Sequence, residues 1–245
     1  MPSDRETYFP ILVGAKKNFR DGMKFQRDDE GINISNLNPN FNELTAMYWA
    51  LKNYASVDAI GLVHYRRFFT KGRGRSLTNV INKTDVEQML KSADVIVPRK
   101  RRYYIETNYS HYVHAHKKAP LDATREVIKE KYPEYIKSFD RVMKRRSAHM
   151  FNMFIMRTGF FIKYANWLFS VLFEVQKRVD VSGYSQQEAR AFGYISELLM
   201  DVWLEKNNVA YTESMWEQIG PKHTFRKVVS FISRKFSVGS KRTHF

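Results

Sequence analysis

No cysteine occurs among the 245 residues, which excludes disulfides, thiolate nucleophiles and cysteine-ligated zinc. No apolar run approaches the roughly 20 residues that cross a bilayer. The opening Met1-Pro-Ser-Asp-Arg-Glu-Thr7 lacks the apolar core of a signal peptide, so a cytosolic protein is expected. There is no internal repeat and no low-complexity tract. Acids are outnumbered, 25 against 41 lysines and arginines, and the net charge of +16 implies a polyanionic partner. What is present is a chain with 43% hydrophobic residues, too apolar for general disorder and long enough for one substantial core.

The charge is unevenly spread. Residues 221–245 hold seven Lys or Arg and no acid. Phe225, Val228, Val229, Ile232 and Phe236 fall on one helical face there, with Arg226, Lys227, Arg234 and Lys235 largely elsewhere. This pattern predicts a basic amphipathic helix on an anionic membrane surface, at the inner face of the plasma membrane. The alternative is a terminal helix packed on its own domain with solvated cations. The expected division is a domain over 1–220 and a tail over 221–245.

Upstream, short apolar runs alternate with amphipathic stretches. Strands are expected over 9–14, 59–63, 93–97, 151–156 and 209–211. Leu44, Met47, Tyr48, Leu51 and Tyr54 predict a helix over 41–54, and Thr84-Asp-Val-Glu87 has the form of a capping box opening another. Two helical stretches flank Pro133. Phe161, Tyr164, Trp167, Leu168 and Leu172 mark a long helix, and a last one covers about 185–206. Strands separated by helices predict an α/β domain with a mainly parallel sheet flanked by helices, whose ligand site lies outside the carboxyl ends of the strands.

Four constellations could carry chemistry. His64-Tyr65-Arg66-Arg67 follows a buried strand, where guanidinium groups bind phosphate oxygens bidentately or are simply solvated. The loop Asp28-Asp-Glu-Gly-Ile-Asn-Ile-Ser35 offers Asp29, Asn33 and Ser35 to sugar or ribose hydroxyls, or spends them on turns of its own. His111, His114 and His116 raise the question of a metal, but HExxH and a carboxylate at ligand spacing are both missing, so His116 reads as a sugar contact or base, or as a plain histidine. Arg190, Tyr194 and Glu197 share a helical face at i, i+4 and i+7. Arg190 could pair with an acid, and Glu197 could face a sugar.

Taken in order, Pro10-Ile-Leu-Val-Gly14, Gly31-Ile-Asn-Ile-Ser35, Asn42-Glu-Leu-Thr-Ala-Met-Tyr-Trp49, Gly61-Leu-Val-His-Tyr-Arg-Arg-Phe-Phe69, Tyr132-Pro-Glu-Tyr135, Phe151-Asn-Met-Phe-Ile-Met156 and Arg190-Ala-Phe-Gly-Tyr-Ile-Ser-Glu197 resemble a group of bacterial glycosyltransferases of capsule and exopolysaccharide synthesis. That group has long been catalogued as a domain of unknown function. The resemblance implies a GT-A-like fold. It also implies a nucleotide-diphosphate sugar donor, galactofuranose among the sugars, and a lipid-linked oligosaccharide acceptor. Two departures are visible. The further strand that usually begins the family, ending in Thr-His-Lys, is not seen before Pro10, and Leu198 follows Glu197 where arginine is common.

The sequence contains no Asp-X-Asp, the usual metal-holding motif of GT-A enzymes. Arg66 and Arg67 are therefore expected to neutralise the leaving diphosphate without a metal or other cofactor. His64, Tyr65, Asn33, Ser35, Asn152 and Arg190 complete the expected donor contacts. Glu197, Asp29 and His116 are the candidates for the base that deprotonates the acceptor. Two rival expectations are an inactive, N-terminally short paralogue and a basic nucleic-acid binder. The second draws on the basic and aromatic stretch 99–104, but no recognisable nucleic-acid motif accompanies it.

Overall fold

A computed structural model describes residues 1–54 and 56–220. The expected tail helix and the boundary at 220/221 concern residues outside those described. Strand β1 (Ile11–Leu12) pairs in parallel with β2 (Gln26–Arg27), and helix α1 (Ala15–Asn18) follows Gly14. The strand expected over 9–14 is thus reduced to two residues and stays outside the central sheet. The buried Asp28 carboxylate organises this end. It accepts the Gly14 and Ala15 N–H groups at 2.7 and 2.9 Å and the hydroxyls of Ser35 and Thr45 at 2.6 Å each, so its burial is matched by donors. After α2 (Asn38–Phe41), the expected amphipathic helix appears as α3 (Leu44–Asn53), with Leu44, Met47 and Leu51 facing the core.

Next come β3 (Ala59–Leu62), β4 (Arg67–Phe69) and α4 (Lys83–Met89). The capping box of α4 is Asn82 with Asp85, not Thr84 with Glu87, because the Asn82 side chain accepts the Asp85 N–H and the Asp85 carboxylate accepts that of Asn82. Then follow the fully buried β5 (Val95–Pro98), β6 (Arg101–Arg102), and α5 (Asn108–Ala115) with its Thr107–Ser110 box. Helices α6 (Lys118–Lys131) and α7 (Ile136–Lys144) flank Pro133, and β7 (Ser147–Ala148) pairs antiparallel with β6. Strand β8 (Phe154–Arg157) leads into α8 (Thr158–Arg178). Helix α9 (Ala191–Lys206), β9 (Tyr211–Ser214) and β10 (Trp216–Gln218) follow, the last pairing antiparallel with β4.

The central sheet has the order β3-β8-β5-β9. Strands β3, β5 and β9 run the same way, and β8 lies between β3 and β5 against both. The expected mainly parallel sheet holds as strand direction but not as pairing, since within the central sheet only β5 and β9 pair in parallel. Alternation along the strands divides the core. Val95, Val97, Phe154 and Met156 join the large cluster under the helices, whereas Ile96, Met153 and Ile155 join a smaller one with Phe69, Ile81 and Leu90. No described helix is long and apolar enough to cross a membrane.

Candidate active site

The reversed direction of β8 brings its entry, Phe151 and Asn152, to the carboxyl ends of the other three strands. Both residues have positive φ, 77° and 53°, a conformation that bulky side chains rarely adopt and that neighbouring structure must hold. His64 supplies one restraint: its Nε2 donates to the Phe151 carbonyl at 2.5 Å. The Arg67 guanidinium stacks 4.4 Å over the Phe151 ring, and Trp216 meets that ring edge-on at 4.6 Å. The buried Asn152 amide donates to Glu43 at 2.6 Å and to the Gly193 carbonyl at 3.1 Å, and accepts the Ser196 hydroxyl at 2.7 Å. Asn152, expected to touch the donor sugar, is instead spent on tying α3 to α9.

Glu197 stands one turn beyond Gly193 on α9 and accepts the Phe151 N–H. Burial, and then the neighbouring Glu43 carboxylate, push its pKa up to about 8, against the opposing pull of Phe151 N–H, Arg67 and Arg101. Two carboxyl groups and two guanidinium groups thus act electrostatically on one another where the strands end. The close approach of α9 to the start of α3 depends on glycine: a Cβ at Gly193 would lie 2.1 Å from Asn42 Nδ2. Asn42 has φ 54°, and its side-chain oxygen accepts from Arg190 Nε at 2.8 Å. The guanidinium of Arg190, at the N-cap rather than inside the helix, lies 5.8 Å over Tyr194.

His64-Tyr-Arg-Arg67 forms a tight turn, closed by reciprocal backbone hydrogen bonds between His64 and Arg67, and this separates the two arginines. Arg67 faces Phe151 and Glu197. Arg66 reaches toward Ile219, donating from Nε to its carbonyl at 3.4 Å, and Tyr65 is exposed at the corner. His116 borders the site, stacked on Tyr194 with centroids 4.0 Å apart. Burial, with a smaller push from His111, drives its pKa down to about 4, so it is neutral at physiological pH and a weak base.

Asp29 is held in a bidentate pair with Arg27 at 2.8 and 2.7 Å, chiefly through these hydrogen bonds, which keep its carboxyl below the usual range. Asn33 and Ser35 close the same loop: Asn33 donates to the carbonyls of Asp29 and Gly31, and the buried Ser35 hydroxyl donates to Asp28. No hydrogen bond or ion pair joins Asp29, Asn33 or Ser35 to the Glu197 group among the described residues, and their side chains build the loop. The expected absence of a carboxylate near the histidines needs correcting, since Glu106 takes His111 Nδ1 at 2.7 Å and His114 Nδ1 at 2.6 Å.

Three members of the site were not singled out from the sequence. Glu43 read only as a helix start, Arg101 only as one cation in a basic run, and Phe151 as the first residue of a strand. The pairing of Glu43 with Glu197 has no local signature that could have exposed it.

The fold is similar to that of a solved structure, the WbbM bifunctional glycosyltransferase in its apo form. The TM-score is 0.78 and the identity 25%, over 86% of this chain and 42% of that one. This chain therefore spans less than half the length of that protein. The GT-A-like α/β fold expected from the sequence is borne out. No curated protein matches the sequence. A family model matches residues 1–208, and the chain belongs to that family, described as Domain of unknown function (DUF4422).

Proposed function

We propose that the chain is an inverting, metal-independent hexosyltransferase of capsule or exopolysaccharide synthesis. It moves galactofuranose from a nucleotide-diphosphate donor to a lipid-linked oligosaccharide. The observation that carries this reading is the buried carboxyl of Glu197 at the strand ends, within the electrostatic reach of Glu43, Arg67 and Arg101, in a chain whose fold is similar to that of a glycosyltransferase. In the proposed step the acceptor oxygen attacks the anomeric carbon of the donor. A carbon–oxygen bond forms, the bond to the diphosphate breaks with its electron pair leaving on phosphate, and the acceptor proton passes to the Glu197 carboxylate. Arg67, with Arg101 on the same carboxyl pair, meets the charge developing on the diphosphate, while Arg66 lies on the other side of the turn. His64 holds the Phe151 carbonyl and hence the Glu197-facing N–H, and Arg190 and Tyr194 line the approach. A carboxyl near pH 8 is about one-tenth ionised at pH 7, but it is then a stronger base than Asp29 or His116. Segment 221–245, read from its sequence alone, would hold the enzyme at the inner face of the plasma membrane.

The test is transfer from a panel of UDP-sugars, including UDP-galactofuranose, to a lipid-linked acceptor. Turnover should persist in excess EDTA and fall at least 100-fold in Glu197→Gln. A strict requirement for Mn²⁺ or Mg²⁺ overturns the arginine role, and full activity of Glu197→Gln overturns the base.

A further inference from the structure

The loop from β6 to α5, with the strand that leads into it, combines two features that, Arg101 apart, the proposed reaction does not use. One is charge: Arg99, Lys100, Arg101 and Arg102 are consecutive, and Lys144, Arg145 and Arg146 lead into β7, the strand paired with β6. Glu213 lies 4.0 Å from Lys100, and Glu205 takes Arg141 and Arg145. Arg99, Arg102 and Lys144 have no carboxylate partner among the described residues. The only acid in the loop, Glu106, is committed to His111 and His114.

The other feature is an apolar tip. Ile105 is 84% exposed and Tyr104 78%, and with Tyr65 at 79% they are the three most exposed large apolar or aromatic side chains described. The tip is built rather than loose. Tyr104 has φ 59°, its carbonyl accepts from Arg146 at 3.2 Å, and the Tyr103 N–H donates to the Arg146 carbonyl at 2.9 Å. Tyr103 turns inward and stacks on His111 at 3.9 Å, which leaves Tyr104 and Ile105 pointing out.

We propose that this loop docks on an anionic lipid surface, with Tyr104 and Ile105 entering the headgroup boundary and Arg99, Arg102 and Lys144 meeting the lipid phosphates. Amphipathic elements of this composition gain from both contributions. Nucleic acid would match the charge but would set Ile105 against phosphates, where an aliphatic side chain gains nothing. The docked orientation also has a purpose under the transfer reading. The tip lies at the same end of the sheet as Glu197, so docking would present the site to an acceptor anchored in the membrane. The docking itself does not depend on that reading.

The 245 residues contain no cysteine, so Ile105→Cys gives a single labelling site in this chain. An environment-sensitive dye at that site should shift to the blue with phosphatidylcholine vesicles containing phosphatidylglycerol, but not with phosphatidylcholine alone or with a single-stranded oligonucleotide. Tyr104→Ser combined with Ile105→Ser should reduce co-sedimentation with the anionic vesicles roughly tenfold or more. Both substitutions lie on the surface and leave the core intact. A silent dye on protein that still sediments would overturn the proposal and assign binding to another segment. A shift driven by the oligonucleotide would overturn it in favour of nucleic acid. Neither readout uses activity, so failure here leaves the transferase reading standing.

Discussion

Replacing Glu197 by glutamine removes a carboxyl group whose proton the folded protein retains to about pH 8, against an ordinary value of 4.5. Between those values the folded chain binds one more proton here than the unfolded chain does. The wild type therefore loses stability as pH rises through the window, and the full loss is reached above about pH 8. Below pH 4.5 both states are protonated and the loss vanishes. The gap corresponds to a ceiling of about 5 kcal/mol. Glu197 keeps some solvent contact, and Arg67 and Arg101 can move toward an ionised carboxylate, so about 2–3 kcal/mol is expected. Glutamine keeps the shape and cannot ionise. Urea unfolding followed by tryptophan fluorescence should show wild type and Glu197→Gln closest near pH 5. The variant should gain about 2–3 kcal/mol relative to wild type by pH 8.5, with an unchanged m-value. Parallel stability curves from pH 5 to 9 would show that Glu197 ionises freely in the folded state and would refute the reasoning.

The same carboxyl sets a kinetic expectation: kcat/KM for transfer should rise with pH to a plateau above about 8, and Glu43→Gln should move the half-maximal point down by about one pH unit, because one of the groups holding the proton is gone. Arg67→Lys keeps the charge but loses the planar fork and the stacking on Phe151, and should lower kcat by about 10²–10³ without unfolding the chain. Gly193→Ala should cost at least about 2 kcal/mol because the new methyl meets the Asn42 amide. Asn42→Gly, which suits the positive φ and removes that amide, should recover part of the loss in a double-mutant cycle read by thermal unfolding. His149→Ala removes the ring whose Nδ1 lies 2.5 Å from Oδ1 of the buried Asp201, leaves that carboxyl group only the backbone N–H of residue 149, and should destabilise by about 3 kcal/mol. Adding Asp201→Asn should return much of that loss, as read by chemical denaturation.

The elements that could be read from the sequence are those specified locally. The helical spacing from Leu44 to Leu51 and the apolar runs at 59–63 and 93–97 each contain their own period, and each became the element it predicts. The run 151–156 was only half legible. Apart from Asn152 it is apolar, and that single residue does not announce that the backbone turns over at Phe151 and Asn152 before the strand begins at Phe154. The direction of β8 was not legible either, since strand order in the chain does not dictate orientation in the sheet. At the site, Glu197 and the His64–Arg67 turn were visible as candidates. Glu43 was not, because its relation to Glu197 exists only once α3 and α9 are packed. Conversely, the Asp28-to-Ser35 loop looked rich in ligand groups because tight turns and sugar sites draw on the same side chains.

The insertion of β8 between β3 and β5 also bears on how the molecule comes into being. β3 and β5 do not pair with each other, and the strand that joins them is made about a hundred residues after β3. β9 joins β5 after a still longer interval. Long intervals of this kind slow folding, because loop closure must precede the contacts that reward it. A nascent chain emerging from the ribosome would carry the apolar β3 and β5 without partners until α8 is being made. Sheet completion, active-site assembly and the end of exposure to aggregation would therefore coincide late in synthesis, and this chain should depend on chaperones until then.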